Sequence, residues 1–136
     1  MTQVQRDLFT KRWRRPKVPT AKEFQIQIAL INRLKLQGNK AVLWFHVPNG
    51  ELREKRTAAR LKAMGVLPGV ADLQFLWVEP DGDIRILFLE LKRKGEQQTE
   101  DQLHFEKLVR ERGCDYQVAD SIDGAVAILK ANGILP

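Results

Sequence analysis

The stretch Ile84-Arg-Ile-Leu-Phe-Leu-Glu-Leu-Lys92 constrains the fold more than any other, because it ends an otherwise apolar row in a carboxylate and an ammonium. Side chains alternate along a strand, so Ile84, Ile86, Phe88, Glu90 and Lys92 share one face. With a rise of ~3.3 Å per residue, Glu90 and Lys92 leave the sheet ~6–7 Å apart. Burying a carboxylate without a partner is costly. Glu90 therefore belongs either to a plain ion pair with Lys92 or to a metal site with the ammonium alongside. Upstream, Pro80-Asp-Gly-Asp83 is a hairpin signal separating this strand from another, Asp72 to Val78. A tight turn at Asp81-Gly82 makes the two strands antiparallel. Asp72 and Glu90 then stand at matching distances from the turn, which brings them side by side at one end of the pair. Adjacent carboxylates repel unless a cation lies between them, and hard oxygen ligands suit Mg²⁺ or Mn²⁺.

Around this hairpin the punctuation predicts further elements. Thr20-Ala-Lys-Glu23 fits a capping box opening a helix that carries Phe24, Ile28 and Ile31 and stops at Gly38. Ala41 to Val47 is nearly all apolar and reads as a buried strand, with Pro48-Asn49-Gly50 as the turn after it. Arg53 to Met64 reads as a helix ending at Gly65, with Lys55, Arg56, Arg60 and Lys62 on one face. Thr99-Glu-Asp-Gln102 is a second capping box, for a helix stopping at Gly113. Asp115 to Ala119 is a short fourth strand, and Ser121 caps a last helix ending near Asn132-Gly133. The order α-β-α-β-β-α-β-α implies an α/β fold, a mixed four-stranded sheet flanked by helices. The helix between the third and fourth strands makes that pair parallel.

At 136 residues, with 43% hydrophobic and 29% charged, the chain has the makeup of one globular domain rather than a disordered segment. No apolar run approaches the ~20 residues of a membrane span, and the basic start lacks the apolar centre of a secretory signal. Cys114 is the sole cysteine, which excludes an internal disulfide and points to a cytoplasmic protein. The net charge of +6 is concentrated: residues 1–19 carry six basic side chains against one acid, leaving +1 for residues 20–136. A basic arm, 1–19, is thus expected to precede a folded domain, 20–136. Polyanions are its natural partner, with Arg12, Arg14 and Arg15 on phosphates and Trp13 able to stack on a base. A solvated tail with incidental charge is the competing reading.

Asp72, seventeen intervening residues and then Glu90-Leu91-Lys92 resemble the Asp…Glu-x-Lys signature of the PD-(D/E)XK nuclease superfamily. More narrowly, Pro48-Asn49-Gly50, the run from Leu61 through Gly65-Val-Leu-Pro-Gly69-Val-Ala-Asp72-Leu73, Leu89-Glu-Leu-Lys92 and Thr99…Gln102 resemble the VRR-NUC family. The likeness runs from about Thr20 to Ala125; Ala71 departs from it, since proline is usual before the aspartate. The resemblance implies a restriction-endonuclease-like core and a structure-selective DNA endonuclease acting on branched DNA such as Holliday junctions or flaps. It also implies a homodimer, since small stand-alone members resemble Holliday-junction resolvases and pair in that way. Asp72, Glu90 and the backbone carbonyl of Leu91 would hold Mg²⁺, with Mn²⁺ able to substitute. Lys92 would orient and help deprotonate the attacking water. Glu23 would complete the shell or hold a second ion, and Gln102 would position water or the scissile phosphate. The products implied are a 5′-phosphate and a 3′-hydroxyl.

Plainer roles compete at several positions. Glu23 and Gln102 are each explained by their capping boxes. His46, in an apolar strand, reads as a satisfied core histidine, and His104 has no metal-ligand partner at usable spacing. Asn49 is first a turn residue, although the resemblance also places it at the DNA. Lys55, Arg56 and Arg60 are either a solvated helix face or phosphate contacts. Two other functions remain open at this point: a non-catalytic DNA-binding or architectural protein, and a restriction-type nuclease reading duplex sequence.

Overall fold

The computed structural model describes residues 21–48 and 55–136. Along the chain run α1 (Ala21–Gln37), β1 (Leu43–His46), α2 (Lys55–Ala63), β2 (Leu73–Val78), β3 (Ile84–Leu91), α3 (Glu100–Glu111), β4 (Asp115–Ala119) and α4 (Ile122–Ala131). The expected element order is observed. The described chain divides into two compact units, one comprising 55–66 and the other 21–48 with 67–136. The first contains α2, closed by Val66 N–H donating to the Leu61 carbonyl and by Gly65 at φ +98°. The anticipated arm, 1–19, lies outside the described residues.

The larger unit is built on a sheet ordered β1-β2-β3-β4. β1–β2 and β2–β3 are antiparallel, whereas β3–β4 is parallel across α3. Alternation divides the side chains of the two central strands between two layers. Leu73, Phe75 and Trp77 of β2 and Leu87, Leu89 and Leu91 of β3 face a large core closed by Leu30 and Leu34 of α1 and Ala125, Val126 and Leu129 of α4. On the other face Phe88 packs with Phe105 of α3, Tyr116 and Ala71. The Phe88 and Phe105 rings meet edge-to-face, 5.1 Å between centroids at 88°, the geometry the ring quadrupoles favour. Each fully buried Leu or Phe contributes roughly 1.5–3 kcal/mol through removal from water. Both central strands are thereby clamped, and with them the residues at their ends.

Both helix caps that lie within the described residues form as read. Thr99 accepts from Gln102 N–H while Gln102 Oε1 accepts from Thr99 N–H, and Ser121 accepts from Gly124 N–H. The Thr20 cap lies outside the described residues.

One expectation here needs correction. The run Ala41–Val47 is not a buried strand: β1 is the sheet edge, and Leu43 and Phe45 are exposed while Trp44 packs on the large core. Apolar composition signalled the strand, but an edge position leaves half of it without a covering layer. The hairpin connection falls where the strand ends leave it. Val78 pairs with Ile84, leaving residues 79–83 as the loop. Glu79 N–H donates to the Asp83 carbonyl, Asp81 Oδ1 accepts the Asp83 N–H, and Gly82 adopts φ +93°. A two-residue turn on Asp81-Gly82 would pair Asp72 with Leu91 and send its side chain to the face opposite Glu90. In the observed register Leu73 pairs with Leu89, so the next step sets Asp72 against Glu90.

Candidate metal and phosphate site

The end of the β2–β3 pair assembles the carboxylates. Asp72 Oδ2 accepts the Leu91 N–H at 2.8 Å, which fixes the aspartate against the last turn of the ladder. A strand residue directs N–H and C=O to the same edge, so the Leu91 carbonyl is turned to the Asp72 side. The next amide, Lys92 N–H, points the other way and donates to the Ala119 carbonyl of β4 at 2.8 Å. Glu90 and Lys92 are both buried, at 4% exposure each, as the only charged side chains in the described interior. Lys92 Nζ lies 4.0 Å from Glu90 Oε1 and 3.7 Å from Glu96 Oε1.

Helix α3 supplies the third contact. Gln102 Nε2 donates to Glu90 Oε1 at 2.9 Å. Glycine at position 69 allows this close approach: it adopts φ +81°, and a β-carbon there would overlap the Asp101 carbonyl and lie 2.8 Å from Gln102 N. The loop before Asp72 and the first turn of α3 are thus in backbone contact. Helix α1 arrives from the other side, where Glu23 Oε1 accepts the Arg93 N–H at 3.1 Å. Glu23 therefore reaches the chain just beyond Lys92, one residue after the Glu-x-Lys element.

The acid pair is electrostatically frustrated. Burial pushes Glu90 up to about 9, with the Asp72 charge adding to the rise and Lys92 opposing it. Burial also raises Asp72, against the Leu91 N–H, His46 and Lys92, which favour its ionised form. Glu90 consequently holds a proton against Asp72 when no cation is present, as expected for carboxyls too close to ionise together. Among the described residues Glu90 Oε2 is buried with no hydrogen bond of good geometry, its polar neighbour being Asp72. An oxygen of this kind, beside a second carboxylate and a carbonyl edge, fits a hard divalent cation with oxygen ligands. No group of three or more His, Cys, Asp or Glu is gathered into a metal cage among the described residues. The donors that fit are Asp72, Glu90 and the Leu91 carbonyl, with waters completing the shell.

Other predicted positions fall elsewhere. His46 is exposed rather than a core histidine, because β1 is an edge; its Nδ1 donates to the Asp72 carbonyl at 2.6 Å. His104 is exposed on α3. Arg60 is exposed on α2, in the unit described separately, and Lys55 and Arg56 open that helix with side chains outside the described residues. Asn49, Arg12, Arg14 and Arg15 lie outside the described residues. Sequence reasoning passed over Glu96 and the Leu91 N–H. Glu96 stands four residues after Lys92, a spacing normally read as a helical ion pair but formed here across a turn.

No family model matches the sequence, and no curated protein matches it. Solved structures do. A structure titled "VRR_NUC domain protein" superposes with a TM-score of 0.63 over 84% of this chain and 89% of its own, at 22% identity. Another, titled "VRR_NUC domain", gives 0.53 over 81% of this chain and 95% of its own, also at 22% identity. The domain has the fold of these proteins, a mixed four-stranded sheet flanked by helices. No helix among the described residues is long and apolar enough to cross a membrane.

Proposed function

We propose that this domain, on the fold it shares with VRR_NUC structures, is a divalent-metal-dependent DNA endonuclease of the VRR-NUC family. Its substrates would be branched DNA such as four-way junctions and flaps. The observation that carries the reading is the meeting of Asp72 and Glu90 around the buried Glu90 Oε2, with the Lys92 ammonium 4.0 Å from the other Glu90 oxygen. Buried acids held in mutual repulsion destabilise a protein unless something uses them. A cation neutralises both, and phosphodiester cleavage needs that charge.

Mg²⁺ or Mn²⁺, when bound, supplies a Lewis acid that neutralises phosphoryl oxygens and makes water more acidic. Asp72, Glu90 and the Leu91 carbonyl would hold it. The Leu91 N–H fixes Asp72, and Gln102 fixes Glu90, so neither carboxylate reorients as charge develops. Lys92 would carry the general acid–base role, its ammonium stabilising the negative charge that builds on the phosphoryl oxygens. It would also orient the attacking water and help to deprotonate it. Glu23, anchored on the Arg93 N–H, borders the same strand end and would orient water at the outer shell. Two such domains in a homodimer would cut two strands symmetrically. The basic arm, Arg12 to Arg15 included, would add phosphate affinity.

The test is a panel of end-labelled four-way junctions, flaps and duplexes of matched sequence, incubated with Mg²⁺, Mn²⁺ or EDTA. Cleavage of branched substrates by the wild type, absent with EDTA and with Glu90→Gln, is expected. Intact substrates throughout would remove the enzymatic reading, and preferential cutting of linear duplex would remove the branched-DNA part of it.

A further inference from the structure

Lys92 is held between two carboxylates at nearly equal distances, 3.7 Å to Glu96 and 4.0 Å to Glu90, and it touches neither at contact-pair range. A charge-assisted N–H···O pair closes to ~2.7–2.9 Å when nothing opposes it. The buried ammonium is thus shared between the two, with Glu96 carried on the turn that follows β3. That turn is tightly made. Glu96 N–H donates to the Arg93 carbonyl at 2.9 Å, and Gly95 takes φ +83° at the third position, where a side chain would be strained. Its first residue is tied to α1 through the Arg93 N–H and Glu23. Glu96 is consequently a fixed post rather than a mobile surface acid, and its side chain is 22% exposed. Glu90 Oε1 already accepts from Gln102, which holds it at an angle set by α3.

We infer that Glu96 is a positioning residue for Lys92, drawing the ammonium off Glu90 so that the Glu90 oxygens are left for the cation. This rests on the nuclease reading above for its use, but it is a statement about binding and is measured as binding. Without Glu96 the carboxyl left within 4.0 Å of the ammonium, among the described residues, is that of Glu90. The ammonium settles there as a contact pair and competes with the metal for the same carboxylate.

The experiment is a double-mutant cycle on Mn²⁺ affinity, read by electron paramagnetic resonance of free Mn²⁺ with the full chain and no DNA. Glu96→Gln is expected to weaken Mn²⁺ binding by about fivefold or more when Lys92 is present. In a Lys92→Met background, where no ammonium can fall onto Glu90, the same substitution is expected to change affinity by less than about twofold. Glu96→Asp, which keeps the charge, restores part of the lost affinity. Equal losses in both backgrounds would mean that Glu96 acts through long-range charge or fold alone, and the inference is then overturned; so is it if Glu96→Gln leaves affinity unchanged. Lys92→Gln serves as the neutral background should Lys92→Met not fold. Failure of the wild type to bind Mn²⁺ would instead strike at the metal-dependent reading itself.

Discussion

Gln102 holds Glu90 with one end of its amide and its own helix with the other: Nε2 donates to Glu90 Oε1 at 2.9 Å while Oε1 accepts the Thr99 N–H at 2.9 Å. Capping residue and site residue are therefore one group acting in both capacities at once. The orientation of α3 and that of the candidate ligand are mechanically the same variable.

The two capacities separate by substitution. Gln102→Glu keeps an acceptor for Thr99 N–H but puts another acid on Glu90. It should slow single-turnover cleavage about tenfold or more and lower urea stability in EDTA, the loss shrinking as pH falls and the acids take up protons. Gln102→Ala loses both contacts and should also cost about 1 kcal/mol in the same urea titration.

Stability should depend on pH in a direction opposite to the usual carboxylate case. Glu90, raised to about 9 from 4.5 by burial and by Asp72, binds its proton more tightly folded than unfolded. Its contribution is fully present below the unfolded value and declines as pH rises toward about 9. The raised Asp72 acts in the same sense. Thermal melting in EDTA should therefore fall from mildly acidic to alkaline pH, and Glu90→Gln should flatten most of that slope. A wild-type melting temperature that climbs steadily over this range would contradict the account.

Divalent metal should reverse the penalty. At neutral pH, Mn²⁺ at about a hundred times its dissociation constant is expected to stabilise the wild type by about 2.7 kcal/mol. The shift should vanish in Glu90→Gln and in Asp72→Asn. Differential scanning fluorimetry with a Mn²⁺ series and a Ca²⁺ comparison checks it.

Gly69→Ala should be among the most damaging small changes in the molecule. The new β-carbon meets the backbone of Asp101 and Gln102, and the φ of +81° is unfavourable for alanine in any case. A loss on the order of 1–3 kcal/mol or more in denaturant is expected. Gly65→Ala, at similar φ but with open space around it, should cost only the backbone strain, about 1 kcal/mol.

The readable parts of this domain are those set by local chemistry. Thr99 and Ser121 announced their helices because a side-chain oxygen at a helix start has one favourable use. The alternation Ile86, Phe88, Glu90 set the face of β3 regardless of what packs on it. The hydrophobic run of β1 was legible as strand but not as edge, since burial depends on which neighbours a strand acquires; His46 was misread for the same reason. The post at Glu96 was invisible because a turn, not a helix, carries it back onto Lys92. The meeting of Asp72 with Glu90 was readable only as an approximate distance from the turn. The five-residue loop 79–83 decides it.

That loop has an implication for how the molecule assembles. β2 and β3 are joined by the shortest connection in the sheet, so the Val78–Ile84 rung closes the smallest loop, and the rung that brings two acids together closes the largest in that hairpin. Repulsion is thus met during folding itself, not deferred until substrate arrives. On the proposed metal-binding reading, a chain maturing in the presence of divalent ions would close that rung with help, whereas one maturing without them would close it by trapping a proton.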